Sequence, residues 1–305
     1  MTDPTRAGFV AVIGAPNAGK STLVNALVGR KVSIVTPKVQ TTRFQVRGVM
    51  MHGRAQIILV DTPGVFAPRR RLDRAMVASA WEGANDADAI AHVVDAPAQL
   101  KRGGRTVEDV DRVIDGLKRH DHKAVLVLNK IDLIKRDELL SLSQTLFETG
   151  VYSDVFMISA SRGERISDLA DHLAKAMPES PWLYPEDQIA DLSERLLAAE
   201  VTREKLFLRV HEELPYALTV ETESWKDLRD GAVRIEQTIY VEREGHRPII
   251  LGKDGQTAKW VGKAAREELE EQLGRKVHLF LFVKVRPKWG EDRDRFTALG
   301  LDFDV

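Results

Sequence analysis

Between two apolar runs, Phe9-Val10-Ala11-Val12-Ile13 and Thr22-Leu23-Val24-Asn25-Ala26-Leu27, the chain carries Gly14-Ala15-Pro16-Asn17-Ala18-Gly19-Lys20-Ser21. A strand-like run, a glycine loop and a helix-like run in that order constrain the fold more than any other feature. Such a unit needs a parallel neighbour strand reached through a covering helix. Gly14 and Gly19 let the backbone curl so that successive N–H groups point at phosphate oxygens, and the positive end of the following helix falls at the same place. In this pattern Lys20 reaches the outer phosphates, Ser21 is a Mg²⁺ ligand, and the whole stretch from Gly14 to Thr22 forms the cradle.

Two further apolar runs end in polar residues of matching chemistry. Gln56-Ile57-Ile58-Leu59-Val60 ends in Asp61-Thr62-Pro63-Gly64, where a carboxylate can hold the Mg²⁺ shell and a glycine N–H can sense a γ-phosphate. Ala124-Val125-Leu126-Val127-Leu128 ends in Asn129-Lys130-Ile131-Asp132. A carboxylate at Asp132 accepts hydrogen bonds from N1–H and the exocyclic amine of guanine, a donor pair that adenine lacks. After Val155-Phe156-Met157-Ile158, Ser159-Ala160-Ser161 is placed to close over the base with backbone N–H groups. Phosphates at one end and guanine at the other specify GTP.

Strand-like and helix-like runs alternate up to the proline-rich stretch Met177-Pro178-Glu179-Ser180-Pro181-Trp182-Leu183-Tyr184-Pro185. The expectation is an α/β P-loop NTPase domain with a mostly parallel sheet over residues 1–180, a linker over 181–190, and a smaller α+β domain over 191–305. In the second part a helix is expected from Asp187 to Ala199, leading into Leu206–Val210, with strands over Ala217–Thr222 and Ala232–Val241 and a half-buried edge strand over Val277–Arg286. Between them lies Ile249-Ile250-Leu251-Gly252-Lys253-Asp254-Gly255-Gln256-Thr257-Ala258-Lys259, followed by a helix-like run to Leu273. Its two glycines let backbone approach a phosphate chain, as in KH modules, which clamp about four nucleotides. Lys253 and Lys259 are the phosphate partners, Asp254 weakens the local positive potential, and Ile249, Ile250 and Ala258 are candidate groove residues.

The chain of 305 residues has a net charge of −1, so any nucleic acid must be held by local patches rather than by overall charge. It has no cysteine, hence neither a disulfide framework nor a thiolate metal site. No apolar run approaches the roughly 18 residues of a membrane span, and Met1–Arg6 does not open a secretory signal, so the cytoplasm is expected. His120-Asp121-His122 reads as a surface loop, and Arg69-Arg70-Arg71, Lys284, Arg286 and Lys288 read as either solvated charge or added RNA contacts.

With these motifs in order, the chain resembles the Era-type GTPases of the translation-factor-related class. The likeness rests on Pro16-Asn17 with Leu23, Asn25 and Leu27, on Ser33–Arg43 as a first switch, and on the C-terminal glycine-pair segment. Only one G domain is present, which sets the chain apart from the tandem Der type. The resemblance implies a GTP-hydrolysing G domain followed by a type II KH domain. It gives catalytic roles to Lys20, Thr42 and Gly64, and Mg²⁺ ligation to Ser21, Asp61 and a switch threonine, Thr42 with Thr41 as the alternative. Val65 stands where Ras-like enzymes have a water-orienting glutamine, which implies slow hydrolysis with water positioned by backbone or by an ordered switch. A K⁺ ion beside Asn17 is a further implication. Gly252, Lys253, Asp254, Gly255 and Lys259 would contact RNA near the 3′ end of 16S rRNA, in a protein that assists assembly and maturation of the 30S subunit. The other reading is an RNA chaperone in which nucleotide only times release. A monomer is expected, and the family is linked to peripheral contact with the inner membrane face, which no basic amphipathic helix here requires.

Overall fold

The computed structural model describes residues 4–101, 104–210 and 214–305; the first three residues of Met1–Arg6 therefore lie outside it. β1 (Arg6–Ile13) and α1 (Lys20–Val28) open the chain, followed by β2 (Val46–His52), β3 (Ala55–Asp61), α2 (Arg71–Asn85), β4 (Ala89–Asp95), α3 (Ala96–Gln99) and α4 (Arg105–Arg119). β5 (Ala124–Asn129), α5 (Arg136–Phe147), β6 (Tyr152–Met157), α6 (Ile166–Ala176) and β7 (Ala190–Asp191) complete the first set. The strands form one seven-stranded sheet in the order β6-β5-β4-β1-β3-β2-β7. β6, β5, β4, β1 and β3 are parallel; at one edge β2 runs antiparallel to β3, and β7 pairs antiparallel with β2, so that β7 runs in the direction of the parallel set. The expected mostly parallel α/β sheet is present.

Strands buried on both faces read as near-continuous apolar runs. β3 and β5 are buried along their whole length. One face packs against Leu23, Val24 and Leu27 of α1 and Leu169 and Leu173 of α6. The other packs against Ala80 and Ala84 of α2, Val110, Val113 and Leu117 of α4, and Leu139, Leu142 and Leu146 of α5. Register pairs Val12 with Asp61 and Asp95 with Asn129, so the polar ends of β3, β4 and β5 meet at one edge of the sheet. Ligands of open parallel sheets bind at that carboxyl edge.

The chain divides into a first unit of residues up to 35, 39–191 and 293–305 and a second of 36–38 and 192–292. The second contains α7 (Glu194–Arg209), β8 (Leu218–Asp227), β9 (Val233–Val241), α8 (His246–Leu251), α9 (Gln256–Leu273) and β10 (Val277–Val285), and α10 (Arg293–Ala298) follows in the first. Its three-stranded sheet has the order β10-β9-β8, with β9 antiparallel to β8 and parallel to β10. Leu206 and Phe207 of α7 pack with Val261 of α9 and Ile239 of β9, and Ala198 and Val201 pack with Ala265 and Leu269. β10 is the half-buried edge strand expected.

Three expectations are corrected. The helix expected over Asp187–Ala199 starts at Glu194, because Ser193 Oγ accepts the Leu196 N–H and caps it there; the same helix then runs on through Leu206 to Arg209. Just before it, Ala190 and Asp191 pair with β2 as the short strand β7, and the expected linker 181–190 is fastened to the first unit. Gln56 Oε1 accepts the N–H groups of Leu183 at 2.7 Å and Tyr184 at 2.9 Å, its Nε2 donates to the Tyr184 carbonyl, and the Ile189 carbonyl accepts from Val49 N–H. Residues 293–305, expected in the second domain, belong to the first: Phe296 and Leu301 bury against Ala75 and Met76 of α2. Arg71 stacks 4.3 Å over the Phe303 ring and donates to its carbonyl, so that member of the arginine triplet is engaged in packing. Among the described residues no helix is long and apolar enough to cross a membrane.

Candidate nucleotide-binding site

Lys20 starts α1 and is almost fully buried; its Nζ donates to the carbonyls of Gly14 at 3.1 Å and Ala15 at 3.0 Å. Burial lowers its pKa to about 8, against an opposing pull from the Asp61 charge. Ser21, Thr42 and Asp61 converge as expected of a metal-binding set. Ser21 Oγ donates to Asp61 Oδ2 at 2.7 Å, and Thr42 Oγ1 lies 3.0 Å from Ser21 Oγ and 3.2 Å from Asp61 Oδ2. Of the two adjacent threonines it is therefore Thr42 that faces this set. Burial raises the Asp61 pKa, while the Ser21 hydrogen bond and the Lys20 charge oppose that rise. Asp61 Oδ1 is buried without a hydrogen-bond partner. Two hydroxyls and a carboxylate with a spare buried oxygen form the hard-oxygen donor set that suits Mg²⁺.

The remainder of the β3 loop is structural as well as chemical. Thr62 Oγ1 donates to the Val12 carbonyl, so its side chain is turned into the sheet and only its backbone faces the loop. Gly64 passes so close to Pro16 that a Cβ there would lie 2.9 Å from the proline ring. The Val65 N–H donates to the Gly14 carbonyl, and its side chain, 3% exposed, joins the core beneath the loop. Val65 thus braces the loop and presents no group to water.

At the other end of the edge, Asn129 acts as a bracket. Its Nδ2 donates to the Ala18 carbonyl at 2.9 Å, and its Oδ1 accepts from the N–H groups of Lys130 at 2.8 Å and Ala160 at 3.0 Å. Lys130 adopts a positive φ of 65° and donates to the Asn17 carbonyl at 2.9 Å and to Asp95 Oδ2 at 2.5 Å. Asn129 and Lys130 therefore position the glycine loop. The tripeptide Ser159-Ala160-Ser161 needs a correction: the Ser159 N–H donates to the Glu164 carbonyl and the Ala160 N–H to Asn129, so these two donors are used within the protein. Asp132 keeps Oδ1 buried and unpartnered, and Oδ2 lies 3.2 Å from Arg162 Nε.

Asp95 and Arg162 are not among the residues to which the sequence motifs point. A signal for Asp95 exists, since it ends the apolar run of β4 as Asp61 and Asn129 end theirs. None exists for Arg162, whose approach depends on the turn that returns its N–H to the Ser159 carbonyl.

The second unit places the glycine pair as expected. Gly252, with a φ of 73°, follows α8, and Gly255, with a φ of 74°, precedes α9. A Cβ on Gly252 would lie 2.3 Å from Thr257 Oγ1 and 2.8 Å from its backbone nitrogen, so this position requires glycine on both counts. Lys253, Asp254 and Lys259 are exposed around the loop. Of the groove candidates, Ile249 is exposed and Ala258 half-buried, whereas Ile250 is wholly buried and is corrected to core. Arg286 ion-pairs with Asp292, and His120 stacks on Trp81 as a surface contact. Among the described residues no cluster of metal-ligating side chains of the His, Asp and Glu type is found.

Residues 9–130 match the family described as 50S ribosome-binding GTPase, and residues 213–290 match the KH domain. The GTPase Era of Caulobacter vibrioides (strain NA1000 / CB15N) is 63% identical over 100% of this chain and 99% of its own length. This chain belongs to the Era family of GTPases. The GTPase Era of Maricaulis maris (strain MCS10) is also 63% identical, over the full length of both. A crystal structure of Era in complex with MgGDPNP and nucleotides 1506–1542 of 16S ribosomal RNA superimposes with a TM-score of 0.89 at 39% identity, covering 97% of this chain and 99% of that one. A single-substitution variant of Aquifex aeolicus Era bound to GDP·AlF4⁻ superimposes equally, with a TM-score of 0.89 at 39% identity and the same coverage. Both units of this Era-family chain, and not the G domain alone, are thus matched in solved relatives.

Proposed function

We propose that the protein hydrolyses GTP with Mg²⁺ and binds 16S rRNA near its 3′ end, as a switch that assists assembly and maturation of the 30S ribosomal subunit. The observation that carries this reading is the pairing, in one Era-family chain, of the Ser21–Thr42–Asp61 oxygen set with a glycine loop that precedes α9 in a KH-matched unit. The match to a family of 50S ribosome-binding GTPases is confined to residues 9–130, whereas the likeness to the complex of Era with 16S rRNA extends over 97% of the chain and favours the small subunit.

In this reading Ser21, Thr42 and Asp61 hold Mg²⁺, which neutralises charge on the outer phosphates. The cradle from Gly14 to Thr22 binds the phosphates, Lys20 turns from the Gly14 and Ala15 carbonyls toward them, and the Gly64 N–H senses the γ-phosphate. Asp132 reads guanine, Asn129 and Lys130 brace the loop, and the Ser159–Ser161 turn covers the base. Val65 leaves hydrolysis slow, and K⁺ beside Asn17 supplies extra positive charge; equal turnover in Na⁺ and K⁺ buffers would overturn the K⁺ assignment. Gly252, Lys253, Asp254, Gly255 and Lys259 bind the RNA backbone. The protein works as a cytoplasmic monomer with peripheral contact at the inner membrane face.

The deciding experiment is GTP turnover in K⁺ buffer with and without an RNA carrying the 3′ end of 16S rRNA. RNA raises turnover in the parent protein and has no effect on the Gly252→Asp/Gly255→Asp variant. Turnover that ignores RNA while RNA still binds would favour the second reading, a chaperone in which nucleotide only times release.

A further inference from the structure

Asp132 is approached by a cation from outside its own motif. Arg162 Nε lies 3.2 Å from Asp132 Oδ2; the aspartate side chain is 9% exposed and the arginine side chain 59% exposed. Oδ1 of the same carboxylate is buried with no hydrogen-bond partner. The arginine is aimed from a fixed turn, since its own N–H donates to the Ser159 carbonyl, and Glu164 Oε1 stands 4.0 Å from its Nη1.

We propose that Arg162 is a specificity-determining residue that competes with the exocyclic amine of guanine for Asp132 Oδ2. The inference rests on the reading of Asp132 as the guanine-binding carboxylate. Guanine offers that carboxylate two donors, N1–H and the amine, and needs both oxygens to satisfy them. Hypoxanthine offers N1–H alone, which Oδ1 can accept while Arg162 stays on Oδ2. The arginine therefore lowers affinity for guanine nucleotides and leaves hypoxanthine nucleotides nearly untouched, narrowing the preference of the site. A charge-assisted contact on a well-exposed arginine is screened by water, so the effect amounts to about two- to fivefold in affinity. The same competition gives the Asp132 carboxylate an alternative partner when the base lets go, which speeds release.

The test uses the full chain and fluorescent GDP and IDP, with dissociation constants and release rates measured for the parent, Arg162→Ala, Arg162→Lys and Asp132→Asn. Arg162→Ala is expected to tighten GDP about two- to fivefold, slow its release to match, and leave IDP essentially unchanged. Arg162→Lys, which keeps a charge but loses the planar fork, is expected to fall between the two. Unchanged GDP affinity, or a parallel loss for GDP and IDP, overturns the proposal; the parallel loss would make Arg162 a support for the loop. Asp132→Asn separates the two claims: if it leaves the preference for GDP over IDP intact, the guanine-reading assignment of Asp132 fails, and the role of Arg162 with it.

Discussion

In the proposed function the nucleotide edge of the large sheet and the glycine loop of the small unit both offer backbone to phosphates, yet they are held in opposite ways. At the edge the functional side chains already bond to one another and to the loops around them: Ser21 and Thr42 to Asp61, Asn129 to Ala18 and Ala160, Lys130 to Asp95. Most are buried, so folding itself fixes their geometry. Around Gly252 and Gly255 the charged residues Lys253, Asp254 and Lys259 stand in solvent, and the fixed element is the backbone at Gly252. One site is built for a single ligand in a single pose. The other fixes its backbone and leaves its charged side chains free to follow a ligand.

Under that contrast the largest effect comes from Lys20→Ala. Removing the buried cation proposed to turn toward the phosphates is expected to lower kcat on the order of 10²–10³-fold, read as single-turnover GTP hydrolysis, while RNA affinity stays unchanged. Next is Gly252→Asp/Gly255→Asp, which puts two carboxylates where phosphates must approach and forces a clash at Thr257. RNA affinity is expected to fall about tenfold or more in a filter-binding titration, with GDP affinity as in the parent. Equal losses of both ligands would break the comparison, because the loop would then be supporting the whole fold. Lys253→Ala and Lys259→Ala sharpen it: each is expected to weaken RNA about threefold and to reduce the slope of log affinity against log salt by about 0.7, the mark of one phosphate contact on a single strand.

The smallest effect at neutral pH concerns His92, which is wholly buried between strands, with Nδ1 2.8 Å from the Tyr152 hydroxyl. Burial, assisted by the Lys20 charge, lowers its pKa to about 3. Its folded pKa is thus depressed below the ordinary value of 6.5, so the unfolded chain takes up a proton as pH falls below about 6.5 while the folded chain does so only near 3. Stability present above pH 6.5 is therefore lost progressively across that window. The denaturant midpoint of the parent is expected to fall more steeply between pH 6.5 and pH 4 than that of His92→Gln.

Motifs that are contiguous in the chain and end an apolar strand are legible in the sequence alone. Gly14–Ser21, Asp61–Gly64 and Asn129–Asp132 fall at one sheet edge because strand register carries them there. The features that are not legible depend on contacts distant in sequence. α7 starts at Glu194 rather than Asp187 because a serine hydroxyl and a place at the sheet edge outweigh local helical character. Ile250 and Ile249 are neighbours of equal hydrophobicity, and only packing against β9 and α9 decides that the first is core. Arg162 reaches Asp132 across a turn whose shape no periodicity encodes.

The return of residues 293–305 to α2 has a consequence in time. Phe296 and Leu301 cover Ala75 and Met76, but they leave the ribosome only after the whole of 192–292 has been made. During synthesis the nucleotide-binding unit must wait with that apolar face of α2 unsealed, so its maturation follows translation of the RNA-binding unit instead of preceding it.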